Sequence, residues 1–261
     1  MGGDEAVKFS LEGKVALVTG ASSGMGRAIA ITYAEHGADM VVTGRDAERL
    51  AACAAEVRAH GRRALCVEAD LLHPEQAALP VERAIEAFGW LDILVNNAGG
   101  AGVYVDGGVA PLFETTLKSV EALFRLNTFS PFVASQAAAR HMRDRGQGGV
   151  IINVTSVSAF APSPDVHAYG AAKAAFHTMG TAWAKELARY NIRVNEIAPG
   201  AVETTNLSKR LATPEGRAIM VGACPLGRLG APDDIAAAAL YLASDEARWV
   251  SGALLRVAGG V

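Results

Sequence analysis

Six short aliphatic runs, each followed by a turn signal and then a helical pattern, leave this chain very few architectures. The runs are Val15–Thr19, Met40–Thr43, Ala64–Glu68, Asp92–Val95, Val150–Val154 and Ile192–Ile197. Runs this short, with no polar alternation, read as strands covered on both faces, which is the pattern of a parallel sheet. Between the first two lies a helical stretch beginning near Met25, with Ile29, Tyr33 and Ala34 on its apolar face, ended by Gly37-Ala38. Repeated strand–helix alternation implies right-handed crossovers, so helices should cover both faces of one sheet. The expected class is therefore α/β: a doubly wound parallel sheet of about seven strands. With 261 residues and no linker composition, the chain reads as one domain, 1–261, with residues 1–13 as an N-terminal arm.

Composition removes several function classes. The net charge is −3 and the basic residues are scattered, which gives no footprint for nucleic acid. No apolar run is long enough for a membrane, and the start Met1-Gly-Gly-Asp-Glu lacks a basic-then-apolar leader pattern, so a cytoplasmic protein is expected. Cys53, Cys66 and Cys224 are few and odd in number, which fits reduced thiols. No cluster of His, Cys and carboxylates suggests a metal.

The chemistry concentrates in Ser156 to Lys173. Tyr169 and Lys173 are four apart and so share one helix face. A free tyrosine ionises near pH 10 and is a poor acid or base at neutrality. An ammonium about 4 Å away, at an effective dielectric of about 20, is worth roughly 4 kcal/mol, enough to bring the phenol toward working pH. Ser156 follows the run Val150–Val154 and should stand at the carboxyl edge of the sheet, where ligands of open α/β folds bind. A second stretch, Val15-Ala-Leu-Val-Thr-Gly20-Ala-Ser-Ser-Gly24-Met-Gly26, is a strand running through a glycine turn into a helix. Such a turn lets backbone approach a pyrophosphate, and the helix offers unpaired N–H groups to it.

Taken with Asn96-Asn97-Ala98-Gly99 after a further strand and Pro199-Gly200 after another, these motifs resemble the short-chain dehydrogenase/reductase family, in particular 3-oxoacyl-[acyl-carrier-protein] reductase-like members. The likeness spans essentially the whole chain. It implies a single Rossmann-type domain and an NAD(P)-dependent oxidoreductase acting on an alcohol or carbonyl. It assigns Asn127, Ser156, Tyr169 and Lys173 as the catalytic set; Ser156 is preferred over Ser158 because it lies thirteen positions before Tyr169. Asn127 would hold a water that links to the lysine. Cofactor contacts would come from Gly20, Ser22, Ser23, Gly24, Met25, Gly26, Asp70, Leu71, Asn97, Ala98, Gly99, Tyr169, Lys173, Pro199, Gly200, Val202 and Thr204, with Asn96, Ala98 and Gly99 contributing mainly through backbone. Helices near 115–144 and 168–190, the latter carrying Phe176, Met179 and Trp183, would form a homodimer or homotetramer.

The choice between cofactors turns on Thr43-Gly44-Arg45-Asp46. NAD-preferring members place a carboxylate for the ribose 2′-hydroxyl where Gly44 stands here, and Arg45 follows at once. NADP(H) is therefore expected, with NAD(H) as the other option, and Asp46 reads as a helix N-cap. Substrate specificity falls to the loop Gly99 to Pro111, including Val103 and Tyr104, to Ala159–Val166, and to a lid over 205–222. His167 reads as a loop residue at a helix entrance, and His177 as facing solvent or a neighbouring subunit. Near the C-terminus, Ala258 stands where the family often has aspartate.

Overall fold

A computed structural model describes residues 8–102, 106–204, 207 and 211–261. Seven strands, β1 (Val15–Thr19), β2 (Asp39–Gly44), β3 (Ala64–Glu68), β4 (Ile93–Asn96), β5 (Gly149–Val154), β6 (Ile192–Pro199) and β7 (Leu254–Val257), form one sheet in the order β3-β2-β1-β4-β5-β6-β7. Every neighbouring pair is parallel. The helices are α1 (Gly24–Glu35), α2 (Ala47–Ala59), α3 (Leu79–Phe88), α4 (Leu117–Phe124), α5 (Ser130–Arg145), α6 (His167–Leu187), α7 (Pro214–Gly222) and α8 (Pro232–Ala243).

Side-chain alternation along the strands explains why the runs are continuously apolar. Ala16 and Val18 of β1 face a core built with α1, α2 and α8, whereas Val15 and Leu17 face a second core with α3, α5 and α6. Truncating one such residue, Leu17→Ala for example, should cost about 2–5 kcal/mol, because the lost transfer energy is joined by a cavity. Tyr33, fully buried in α1, donates its hydroxyl to the Ala239 carbonyl at 2.9 Å and so ties α1 to α8. At the start of the described chain Leu11 is also buried, with its N–H donated to the His36 carbonyl at 2.7 Å.

The sheet order reverses between β1 and β4, and ligand crevices of doubly wound sheets open beyond the carboxyl ends of strands at such a point. The segment read as one helix near 115–144 is broken. α4, closed at its start by a Thr116/Ser119 capping box, passes into a π-helical turn over Arg125–Phe129 before α5 begins. Turns of this kind carry one extra residue and recur at functional sites. The Thr128 hydroxyl donates to the Ala172 carbonyl at 2.8 Å, which fixes this turn against α6.

Candidate active site

The glycine turn between β1 and α1 is shaped by close packing. Gly20 holds φ +68°, in the left-handed region. At Gly26 a methyl group would overlap the Gly20 carbonyl and the Asn97 amide. Asn97 in turn donates its amide N–H to the Thr19 carbonyl at 2.8 Å, and the Thr19 hydroxyl accepts from the Asn97 and Ala98 N–H groups at 2.9 and 3.0 Å. The tips of β1 and β4 are thereby locked together. The first turn of α1 has no acidic residue and Ser23 caps no N–H with its side chain, so the positive end of the helix faces open space.

Above this turn lies a cleft of about 360 Å³. Of the residues expected to hold a dinucleotide, Gly20, Ser22, Ser23, Gly24, Met25, Gly26, Arg45, Asp70, Leu71, Asn97, Ala98, Gly99 and Thr204 line it. Tyr169, Lys173, Pro199, Gly200 and Val202 are not among its walls. Pro199 ends β6, the Gly200 N–H donates to the Val257 carbonyl at 3.1 Å, and Val202 pairs with Gly230 in an isolated bridge. Asp70 lines the cleft and also closes its own turn by accepting the Leu72 N–H at 3.0 Å. A glycine cradle under an uncapped helix end suits a pyrophosphate, so the residues present fit a dinucleotide.

At the far end of the cleft Gly44 brings no carboxylate, and Arg45, Asp46 and Arg49 stand together. Asp46 accepts the Arg49 N–H at 3.0 Å as the N-cap of α2, as its position before Ala47 implies. Its other oxygen lies 3.2 Å from the Arg49 guanidinium. Arg49 was legible only as part of a helix start. It lies in the first turn of α2, two residues after the helix start, on the wall of the cleft.

The proposed chemical residues gather where β5 ends. Ser156 is buried and accepts the Ser158 N–H at 3.1 Å. Lys173 is 3 % exposed and donates its ammonium to the Val154 carbonyl at 2.8 Å. Burial pulls the ammonium down to about 8, against which the charge of Glu196 acts to raise it. Burial pushes the Tyr169 phenol above its usual value, opposed by a hydrogen bond with Ser156. Spacing alone leaves out burial, which opposes the charged form of both side chains.

Asn127 lies on the π-helical turn, fully buried. Its amide clamps Gly100: the Oδ1 accepts the Gly100 N–H at 3.0 Å, and the Nδ2 donates to the carbonyls of Gly100 at 3.1 Å and Leu123 at 3.0 Å. Both amide protons are used, so a water beside it would have to meet an oxygen lone pair or the backbone carbonyl.

On α6 the structure adds one contact: His177, partly exposed, has its Nδ1 2.8 Å from Oε2 of Glu196, a mid-strand carboxylate of β6 that sequence reading passed over. Phe176 is fully buried in the core, whereas Trp183 remains partly exposed against Phe132. His167 begins α6 with Nδ1 2.8 Å from the Pro164 carbonyl, as a residue at the helix entrance should. Val103 and Tyr104, and residues 205, 206 and 208–210 of the expected lid, lie outside the described residues, while 214–222 form α7. Among the described residues there is no metal-binding cluster, and no helix is long and apolar enough to cross a membrane.

This architecture has close counterparts. The short chain dehydrogenase family pattern matches residues 14–215. L-rhamnose 1-dehydrogenase (NAD(P)(+)) of Sphingomonas sp. (strain SKA58) is 39 % identical over 252 residues, covering 96 % of this chain and 97 % of the relative. 7alpha-hydroxysteroid dehydrogenase of Escherichia coli (strain K12) is 40 % identical over 250 residues, covering 96 % of this chain and 94 % of that protein. A solved 7 alpha-hydroxysteroid dehydrogenase, complexed with NADH and 7-oxo glycochenodeoxycholic acid, superposes with a TM-score of 0.89 at 39 % identity, covering 97 % of this chain and 95 % of that one. The chain therefore belongs to the short-chain dehydrogenase family and is an NAD(P)-dependent oxidoreductase.

Proposed function

We propose that the protein interconverts a secondary alcohol and a ketone, with NADP(H) as the preferred cofactor and Tyr169 as the acid and base. The observation that carries the reaction is the convergence of Ser156, Tyr169 and Lys173 at the carboxyl end of β5. When bound, the nicotinamide supplies or accepts the hydride. In the reducing direction Tyr169 gives its proton to the carbonyl oxygen, and Ser156 donates a hydrogen bond to that oxygen as charge builds on it. Lys173 holds positive charge behind the tyrosine and reaches toward the nicotinamide ribose, while Asn127 keeps Gly99-Gly100 in place beside it.

Arg45 and Arg49 in the cleft, with Gly44 in place of a carboxylate, support the preference for NADP(H). The relatives' names include NAD(P)(+) and NADH, so membership of the family does not make this choice. Titration of NADP⁺ and NAD⁺ against wild type, Arg45→Ala and Arg49→Ala tests it. Each charge-assisted contact to a 2′-phosphate is worth about 1.5–3 kcal/mol, so either variant should lose roughly ten- to a hundredfold in NADP⁺ affinity and almost none for NAD⁺. Equal binding of both cofactors by wild type would refute the preference.

A second reading, oxidation of a sugar or hydroxysteroid alcohol, draws support from the rhamnose and 7alpha-hydroxysteroid relatives. A panel of a 3-oxoacyl thioester, L-rhamnose and a 7α-hydroxy bile acid, assayed in both directions, separates these substrate classes. The reading is completed by a cytoplasmic location and a homo-oligomer. Phe129 and Phe132, exposed on the π-helical turn and α5 beside Trp183 of α6, support a contact between copies.

A further inference from the structure

Ser156 heads a short loop whose support lies outside the scheme above. Val157–Ala159 make one 3-10 turn, closed by the Ala159 N–H on the Ser156 carbonyl and the Phe160 N–H on the Val157 carbonyl, each at 3.0 Å. Inside the turn the Ser156 hydroxyl accepts the Ser158 N–H at 3.1 Å, so the serine moves with the loop. Two contacts seat this loop on α6, one on each side of Lys173 along the helix. The first is at Gly170, directly after Tyr169, where a methyl would stand 2.6 Å from the Ser158 carbonyl oxygen and 2.9 Å from Cβ of Pro162. The second is at His177, whose ring meets that of Phe160 edge-on, with centroids 4.9 Å apart and planes at 71°.

Gly170 and His177 are seven positions apart in the chain, so they share one helix face and stand about 10 Å from each other. A loop held at one point can pivot, whereas a loop held at two keeps its bearing. The Gly170 contact sets how near the loop comes to the helix, and the Phe160 contact sets its angle. This second hold is braced from both sides. His177 Nδ1 lies 2.8 Å from Oε2 of Glu196, which fixes the imidazole from within β6. From β7 the Arg256 guanidinium stands 5.1 Å over the Phe160 ring. Phe160 is 38 % exposed, so burial alone does not orient it; an edge-on aromatic partner and a stacked guanidinium do. Neither Phe160 nor His177 lines the dinucleotide cleft.

We infer that Phe160 and His177 are positioning residues: their ring contact holds the Ser156 loop at a fixed angle on the helix that carries Tyr169 and Lys173, and so sets where the serine hydroxyl meets the substrate oxygen. Glu196 serves the same end by holding the His177 ring. The bracket at Gly170 and His177 keeps serine and tyrosine, which come from different elements, in one geometry.

The inference rests on the proposed roles of Ser156 and Tyr169, so its test has one arm that needs substrate and one that does not. The first is a double-mutant cycle on kcat with Phe160→Ala, His177→Ala and the double variant, using whichever of a 3-oxoacyl thioester, L-rhamnose or a 7α-hydroxy bile acid the wild type turns over. Each single variant should lose roughly ten- to a hundredfold in kcat, because a misplacement near 1 Å has that effect. The double variant should match the slower single to within about twofold, since both changes remove one contact. Dissociation constants for NADPH and NADH should stay within about twofold of wild type. Phe160→Tyr, which keeps the ring, should restore kcat. The second arm is hydrogen exchange at the Ser158 amide, which should quicken about tenfold in both single variants while the amides of α6 keep their protection. If His177→Ala does not fold because Glu196 loses its partner, Phe160→Ala against Phe160→Tyr decides, as Phe160 stands outside the core. Losses that multiply in the double variant, a normal kcat in Phe160→Ala, Phe160→Tyr as slow as Phe160→Ala, or an unmoved Ser158 amide overturns the inference. Absence of turnover by wild type would sink the proposed reaction alone, and the Ser158 amide would still decide whether the ring contact holds the loop.

Discussion

Gly99→Ala is the smallest change that reaches the centre of the site. Gly99 does not occupy the left-handed region, so alanine is conformationally allowed there and the effect is steric alone. Its new methyl would stand 2.6 Å from Asn127 Oδ1 and 3.0 Å from Lys173 Nζ. Ordinary carbon–oxygen contact begins at about 3.3 Å, so the amide oxygen must retreat by about 0.7 Å. That oxygen accepts the Gly100 N–H at 3.0 Å, and Asn127 cannot back away while its Nδ2 holds two carbonyls. Overpacking of this kind costs about 1–3 kcal/mol, and a weakened buried hydrogen bond adds about 1. At about 2–4 °C per kcal/mol for a chain of this size, Tm should fall by roughly 4–16 °C. Turnover should fall further, because a displacement approaching 1 Å at a catalytic group can cost about a hundredfold. Circular dichroism melting and kcat with saturating NADP⁺ read the two effects. A variant that melts within 1–2 °C of wild type (about 0.5 kcal/mol) and keeps its kcat would refute the packing argument.

Gly26→Ala forces a methyl onto the Gly20 carbonyl and the Asn97 amide, so weakened NADP⁺ binding by isothermal titration should accompany a Tm loss of several degrees. Tyr169→Phe should fold and bind NADP⁺ as wild type does while losing at least about a hundredfold in turnover; near-normal kcat would remove Tyr169 as the acid and base. Glu196 supplies a pH-dependent stability with a definite sign. Its folded value is raised from 4.5 to about 7, so the native state holds the extra proton and its contribution is fully present below the ordinary carboxylate value. Measured against Glu196→Gln, wild type should therefore lose Tm as pH rises from about 4.5 through about 7, and a constant difference across that window would contradict the burial argument.

Much of the frame could be read from residue pattern. Val15–Thr19 and Ala64–Glu68 coincide with β1 and β3, because aliphatic runs between turn signals mark buried strands sharply. The cleft-lining glycines were equally legible, since close backbone approach leaves no substitute for them. Periodicity could not reveal the π-helical turn: one extra residue in a long amphipathic stretch leaves Val120, Leu123 and Leu126 looking regular. Nor could it pair Glu196 with His177, because the two meet only through the packing of α6 on β6. Arg49 escaped notice for a similar reason, as a charge at a helix start is ordinarily a solvated one. Spacing puts Tyr169 and Lys173 in successive turns of α6, yet it says nothing about how deeply the ammonium is buried.

The π-helical turn over Arg125–Phe129 is also a reading frame for the surface that follows it. Each residue of a helix advances the side-chain direction by about 100°, so deleting one residue there would make α4 and α5 a single regular helix and rotate one against the other by that angle. Asn127 would swing away from Gly100, and Phe129 and Phe132 would turn to a new bearing at the same time. A one-residue insertion thus acts as a shared gear between the interior clamp and the outer apolar face, and neither can be re-aimed by local mutation without the other.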